Sequence, residues 1–225
     1  MAVIHRAYTI DAQAFHRELE AKLIDHDRLR LDMLHDLAVA AAALPDDPVQ
    51  ELLEGLRFDP EMLETPADED VSYTSMWYML ILAGKAVPAP SLSHRCQVSH
   101  VVMQTVLPLL GWSNEELRLL LYGDCLHRFL EVFAHPLLVK ELGIVDQYGG
   151  WLSIEQAAGL LSHLLLVEDL FASPLAETVQ YIQNLAGWWG RSSSAELLSQ
   201  AYADVREMLE TALSRDQPLY LLLDF

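Results

Sequence analysis

Apolar residues recur at helical spacing through most of this chain. Between Arg28 and Leu44, the residues Leu29, Met33, Leu37, Ala40, Ala41 and Leu44 fall on one stripe, the signature of an amphipathic helix, and Pro45 ends it. Asp11 is placed to cap an earlier helix from Ala12 to about Ile24. Asp47-Pro48 opens another to about Phe58, with proline at its favoured first position. An aromatic-rich helix with Tyr73, Trp77 and Tyr78 runs from Ser72 to Gly84, and another from His94 to about Leu110. Two capping boxes, Ser113 to Glu116 and Ser153 to Gln156, open further helices. The second of these is the longest apolar one and ends near Phe171. Between them Asp124 to Ala134 continues as helix after Gly123. Ser173-Pro174 starts a helix to about Leu185, and Ser192 to Ser194 starts the last, to Ser214.

The period changes at both ends. Val3 to Ile10 carries Val, Ile, Tyr and Thr, and Leu219 to Phe225 reads Leu-Tyr-Leu-Leu-Leu-Asp-Phe, so both predict short strands. The expected fold is therefore mainly α: a compact multi-helix domain over 1–225 with terminal strands at about 3–10 and 219–225 that can pair. Lys85 to Ser93 holds two prolines and two serines. It is the best linker candidate and divides a smaller N-terminal part from a larger C-terminal one. Trp112, Trp151 and Trp189 each precede a serine and a helix start, at spacings of 39 and 38 residues. Helical repeats of that length build solenoids, although the helices between these tryptophans differ in length.

Composition adds a core and a charge. With 52% hydrophobic residues in 225, the chain has apolar surface enough to offset ordering entropy. Its two cysteines, Cys96 and Cys125, are too few for a disulfide framework. Asp11 arrives before an apolar signal region develops, which predicts no signal peptide. The longest apolar stretch, Ala157 to Val167, is interrupted by Ser162 and His163 and closed by Glu168 and Asp169. Spanning a bilayer takes about 20 apolar residues, so a core helix is expected and not a membrane segment. A cytoplasmic location follows as the expectation. The net charge of −19, from 33 acids against 14 bases, repels nucleic acid and anionic lipid and suits a basic protein partner. The most acidic surface is the loop with Asp59, Glu61, Glu64, Asp68, Glu69 and Asp70, which contains no base.

Candidate chemistry is sparse. Cys96 and His100, four residues apart, together with Cys125 and His127, supply a tetrahedral zinc set by residue type. Their Cys-x-x-x-His and Cys-x-His spacings are not the usual zinc pattern. Asp124, His127 and Glu131 share one face of a helix at i, i+3 and i+7, as in carboxylate–histidine sites for iron or manganese. They lie opposite the apolar stripe of that helix, which also suits a solvated ion-paired face. His35-Asp36 matches the dipeptide of metal-dependent phosphohydrolases but stands alone. Glu168 shares a helix face with Leu161, Leu164 and Leu165, where partial burial would raise its pKa and fit it for general acid or base work, unless an arginine pairs with it. Trp188 and Trp189, followed by Gly190-Arg191, form either a binding hot spot or a packed helix end. Nucleotide-binding glycine loops, nucleophile elbows and zinc-protease motifs do not occur.

The sequence thus favours a non-enzymatic protein-interaction module with an acidic surface. The alternatives are a metal-dependent helical enzyme and a small-molecule sensor with a pocket at Trp77 and Tyr78. No cofactor is evident apart from zinc, iron or manganese at the sites named, and nothing in the sequence fixes the oligomeric state.

Overall fold

The run Leu219-Tyr-Leu-Leu222 lacks polar residues at alternate positions, the pattern of a strand covered on both faces. The computed structural model describes residues 4–24, 30–44, 48–55, 73–90, 98–124, 149–172, 184 and 194–224. In it this run belongs to β4 (Leu219–Asp224), an inner strand of a four-stranded antiparallel sheet. β1 (Ile4–Ile10) pairs with β4, Tyr8 standing opposite Tyr220. β2 (Ala86–Ala89) lies outside β1, with Thr9 opposite Val87. β3 (Gly149–Leu152) lies outside β4, with Trp151 opposite Tyr220. The two terminal strands, which the sequence suggested could pair, are neighbours at the centre.

Successive side chains of a strand point to opposite faces. Ala7, Leu152, Leu219 and Leu221 therefore enter one cluster of buried residues, and Tyr8, Ile10, Trp151, Tyr220 and Leu222 enter another. Helices α1 (Ala12–Ile24), α2 (Arg30–Ala42), α3 (Pro48–Gly55) and α4 (Tyr73–Lys85) cover the Tyr220 face through Phe15, Leu19, Leu37, Leu52 and Leu82. The Leu221 face is covered by α5 (Val98–Leu109), α6 (Asn114–Tyr122), α7 (Ile154–Leu166), α8 (Glu168–Ala172) and α9 (Ser194–Arg215). Val102, Leu120, Leu164, Phe171 and Val205 reach the core from that side. The chain changes face at β2. Among the described residues, helices before it lie on one side of the sheet and helices after it on the other.

Local sequence explains where the elements start. The Asp11 carboxylate accepts from the Ala14 amide at 2.9 Å, capping α1. Both expected capping boxes are complete, Ser113 with Glu116 at α6 and Ser153 with Gln156 at α7. The segment expected as a linker instead contains β2. Pro88 is tolerated there because an edge strand needs no outward ladder N–H. The Arg215 guanidinium, at the end of α9, donates to Thr9 Oγ1 at 2.8 Å and to the Pro88 carbonyl at 3.1 Å, tying that edge to the last helix. β3 was also unexpected. Trp151 sits in it on the α1–α4 face, whereas Trp112 precedes α6 on the other face, so these two do not occupy equivalent positions of a repeat. Trp189 lies outside the described residues. Among the described residues, no helix is long and apolar enough to cross a membrane.

The turn after α6 presses against β3. Asp124 and Trp151 exchange two backbone hydrogen bonds of 2.7 Å, so Asp124 forms a bridge here and does not open a helix. That approach requires Gly150, where a Cβ would overlap the Tyr122 carbonyl. Overpacking backbone against backbone costs at least ~1–3 kcal/mol. Gly150→Ala should therefore lower the denaturant midpoint by that much or more. Gly159, within α7 with nothing near its Cβ position, is the opposite case. Gly159→Ala should raise stability by about 0.5–1 kcal/mol. Equal midpoints for the two variants would contradict the placement of both glycines.

Candidate functional site

Three polar groupings enter the helical layer on the Leu221 face. The first begins on β1, where His5 has the same strand parity as Ala7 and is fully buried. Its ring centroid lies 6.2 Å from that of His100 on α5, and the Tyr122 ring meets His100 edge-on at 5.8 Å. Burial pushes the His5 pKa down to about 3, and the nearby His100 lowers it further, against a Leu121 backbone hydrogen bond that raises it. Burial also lowers the pKa of His100. Both rings are thus held neutral near neutral pH, able to exchange hydrogen bonds or offer a ring nitrogen. The buried Nε2 of His100 has no hydrogen-bond partner among the described residues.

In the second grouping, Asp204 of α9 is buried with Ser99 of α5. Ser99 Oγ donates to Asp204 Oδ2, and Gln200 Nε2 donates to Oδ1 at 2.6 Å. Each carboxylate oxygen therefore has a donor, the requirement for keeping such a group out of water. This contact pins α5 to α9 across the core.

The third grouping joins α6 to α7. Ser113 Oγ donates to Glu116 Oε2 at 2.6 Å, and the other carboxylate oxygen meets His163 Nδ1 at 2.9 Å. The His163 ring stacks on Trp112 at 4.8 Å between centroids. Hydrogen bonds from the Ser113 side chain and backbone hold the Glu116 carboxyl below its usual pKa. A serine nucleophile would need the histidine as its direct base. Here the glutamate stands between serine and histidine, which is the order of an extended helix cap.

The candidates read from the sequence are dispersed. Cys96, Cys125, His127 and Glu131 lie outside the described residues, as do the acidic loop Asp59, Glu61, Glu64, Asp68, Glu69 and Asp70 and the pair Trp188 and Trp189. His100 is the described member of the zinc set, and Asp124 that of the carboxylate–histidine set. Asp124 Oδ1 lies 4.0 Å from Arg118. His35 and Asp36 are both exposed on α2. Trp77 and Tyr78 are buried beneath the sheet, where Tyr78 accepts from the Trp151 indole at 3.3 Å. Glu168 is exposed, contrary to the expected partial burial, and lies 3.2 Å from Arg206. The reason is a break at Val167, whose amide reaches back to the Leu164 and Leu165 carbonyls. Glu168 opens α8 instead of continuing α7, at the end of a helix where negative charge is favoured. No group of three or more His, Cys, Asp or Glu among the described residues is arranged to hold a metal ion. Comparison with known protein families, with curated proteins and with solved structures finds no match to this chain.

Sequence reasoning missed the His5–His100 pair. The period-2 pattern of β1 placed His5 on the Ala7 face, but nothing local indicated what covers that face. The pair makes stability pH-dependent. The folded pKa of His5 lies below its unfolded value of about 6.5, so protons bind the unfolded chain preferentially below that value. Its contribution to stability is intact above pH 6.5 and is lost progressively as pH falls toward 3. In chelator-dialysed protein, the decline between pH 6.5 and 5 should be up to ~2 kcal/mol steeper for wild type than for His5→Leu. Parallel stability–pH curves would refute it.

Proposed function

We propose that the chain is a non-enzymatic protein-interaction module of the cell interior that presents an acidic helical surface to a basic protein partner. The observation that carries this reading is the outer surface of α9 and the helices beside it. Glu196, Glu207 and Glu210 are exposed along α9, with Arg206 held between Glu210, at 2.7 Å, and Glu168. No lysine or arginine occurs between Lys140 and Arg191, so α7 and α8 add Glu155, Glu168 and Asp169 to that region without a basic residue. Exposed charges of one sign, within a Debye length of roughly 8 Å, reinforce one another and steer an oppositely charged partner. The loop from Asp59 to Asp70 extends the same charge in sequence.

The polar groups of the interior agree with a binding role. Asp204 and Glu116 each bridge two helices, a use of carboxylates that fixes a scaffold. A second reading, a metal-dependent helical enzyme at Cys96, His100, Cys125 and His127, draws support from the buried Nε2 of His100. Elemental analysis of chelator-free protein tests it, with about one zinc, iron or manganese per chain as the supporting result.

The acidic-surface reading is tested with a fluorescent decalysine peptide titrated across a salt series. Wild type should bind with an affinity that falls steeply as salt rises. Asp169→Lys/Glu207→Lys/Glu210→Lys should weaken binding by about tenfold or more and flatten the salt dependence. Affinity and salt slope unchanged by the triple reversal would sink the reading.

A further inference from the structure

Seven large hydrophobic residues are exposed among the described residues: Val39, Val87, Leu109, Tyr122, Leu165, Leu166 and Leu170. The first four are scattered, as single exposed apolar side chains ordinarily are. The last three fall within six positions at the junction of α7 and α8, with Leu166 82% exposed. The surrounding residues of this junction are well used. Leu164 and Val167 are buried in the core, and Phe171 packs against Tyr202 at 5.1 Å. The leucines are thus carried on an anchored element that points them outward. Leu166 and Leu170 are one helical turn apart in sequence, so with Leu165 they form a short apolar ridge. Glu168 and Asp169 lie on the same turn, and both are exposed.

We infer that this ridge is a docking surface for an amphipathic helix of the partner, one with leucine-like residues along one face and lysine or arginine on its flanks. The inference rests on the acidic-module reading and narrows it to a place and a partner chemistry. Charge selects the occupant. A second copy of this chain would bring the same ridge flanked by the same acids, from a molecule of net charge −19, and no lysine or arginine from 141 to 190 to offset them. Like charges set opposite one another disfavour that pairing. A basic amphipathic helix meets both features at once. Its apolar seam covers the leucines, as a ridge of one helix packs into the grooves of another, and its flanking cations meet Asp169 and the Glu168 turn. Apolar contact supplies the affinity that dispersed surface charge lacks.

The test uses two synthetic helical peptides of equal positive charge, one alternating leucine and lysine at amphipathic spacing and one with serine replacing each leucine. Binding is read by fluorescence anisotropy at physiological ionic strength, together with thermal unfolding and sedimentation velocity. Wild type should bind the leucine-bearing peptide at least about tenfold more tightly than its serine counterpart. Leu166→Ser/Leu170→Ser should lose that preference, bind both peptides alike, and unfold at the wild-type temperature. Equal binding of both peptides by wild type overturns the ridge while leaving the acidic surface standing, and binding of neither overturns both readings. A preference kept by the double variant places the apolar contact elsewhere and also overturns the ridge. A double variant that unfolds at lower temperature shows that the leucines pack within the chain. A wild-type dimer that the double variant lacks assigns the ridge to a second copy. Either result overturns the proposed occupant.

Discussion

The pairing of β1 with β4 is the contact on which both helical layers depend. It joins Tyr8 to Tyr220 across more than two hundred intervening positions, and closing so long a loop carries an entropic cost that grows only slowly with length. What offsets that cost is burial on both sides at once. Ala7, Leu219 and Leu221 enter one core while Ile10, Tyr220 and Leu222 enter the other. Trp151 locks the arrangement from β3. Its indole is fully buried, 5.3 Å from the Tyr220 ring, and bonded to Tyr78 of the opposite helical layer. Without the central ladder, α1–α4 and α5–α9 would each expose an apolar face.

The same constraint places the polar groups. A residue on the Ala7 face of β1 lies under α5 and α6, so His5 is buried whatever its chemistry, and the neutral form is what the site accepts. Asp204 and Ser99 hold α5 against α9, and Arg215 holds the end of α9 to the β2 edge. The interior polar contacts are thereby committed to positioning elements. Exposed acids and the leucines of the α7–α8 junction remain as the outward-facing chemistry, and the binding proposal is built on them.

Much of this architecture was legible locally. Both capping boxes state their helix starts in four residues, because the reciprocal hydrogen bonds need only Ser and Glu or Gln at fixed spacing. The terminal strands were legible from Val, Ile and Tyr at one end and the unbroken Leu-Tyr-Leu-Leu run at the other. β2 and β3 were not. Each has four residues, too short to show alternation, and carries the residues that ordinarily mark loops, Pro88 in one and Gly149-Gly150 in the other. Those same residues serve the edges: proline needs no ladder bond, and Gly150 admits the turn from α6. Glu168 was misplaced because periodicity counts through Val167, where the helix breaks. The His5–His100 contact joins residues ninety-five positions apart, and no local pattern encodes such a pair. Cys96, Cys125 and His127, which with His100 made the sharpest candidate metal set, fall mostly outside the described residues.

The most direct measurement of the central claim is amide hydrogen exchange read by peptide mass spectrometry. If the β1–β4 ladder holds both layers together, peptides covering residues 4–10 and 219–224 should be the slowest to exchange. They should open only with global unfolding, later than β2 or the exposed face of α2. Exchange of either terminal strand as fast as those peripheral segments, with the helices still protected, would show that the layers stand without the ladder and would contradict the account.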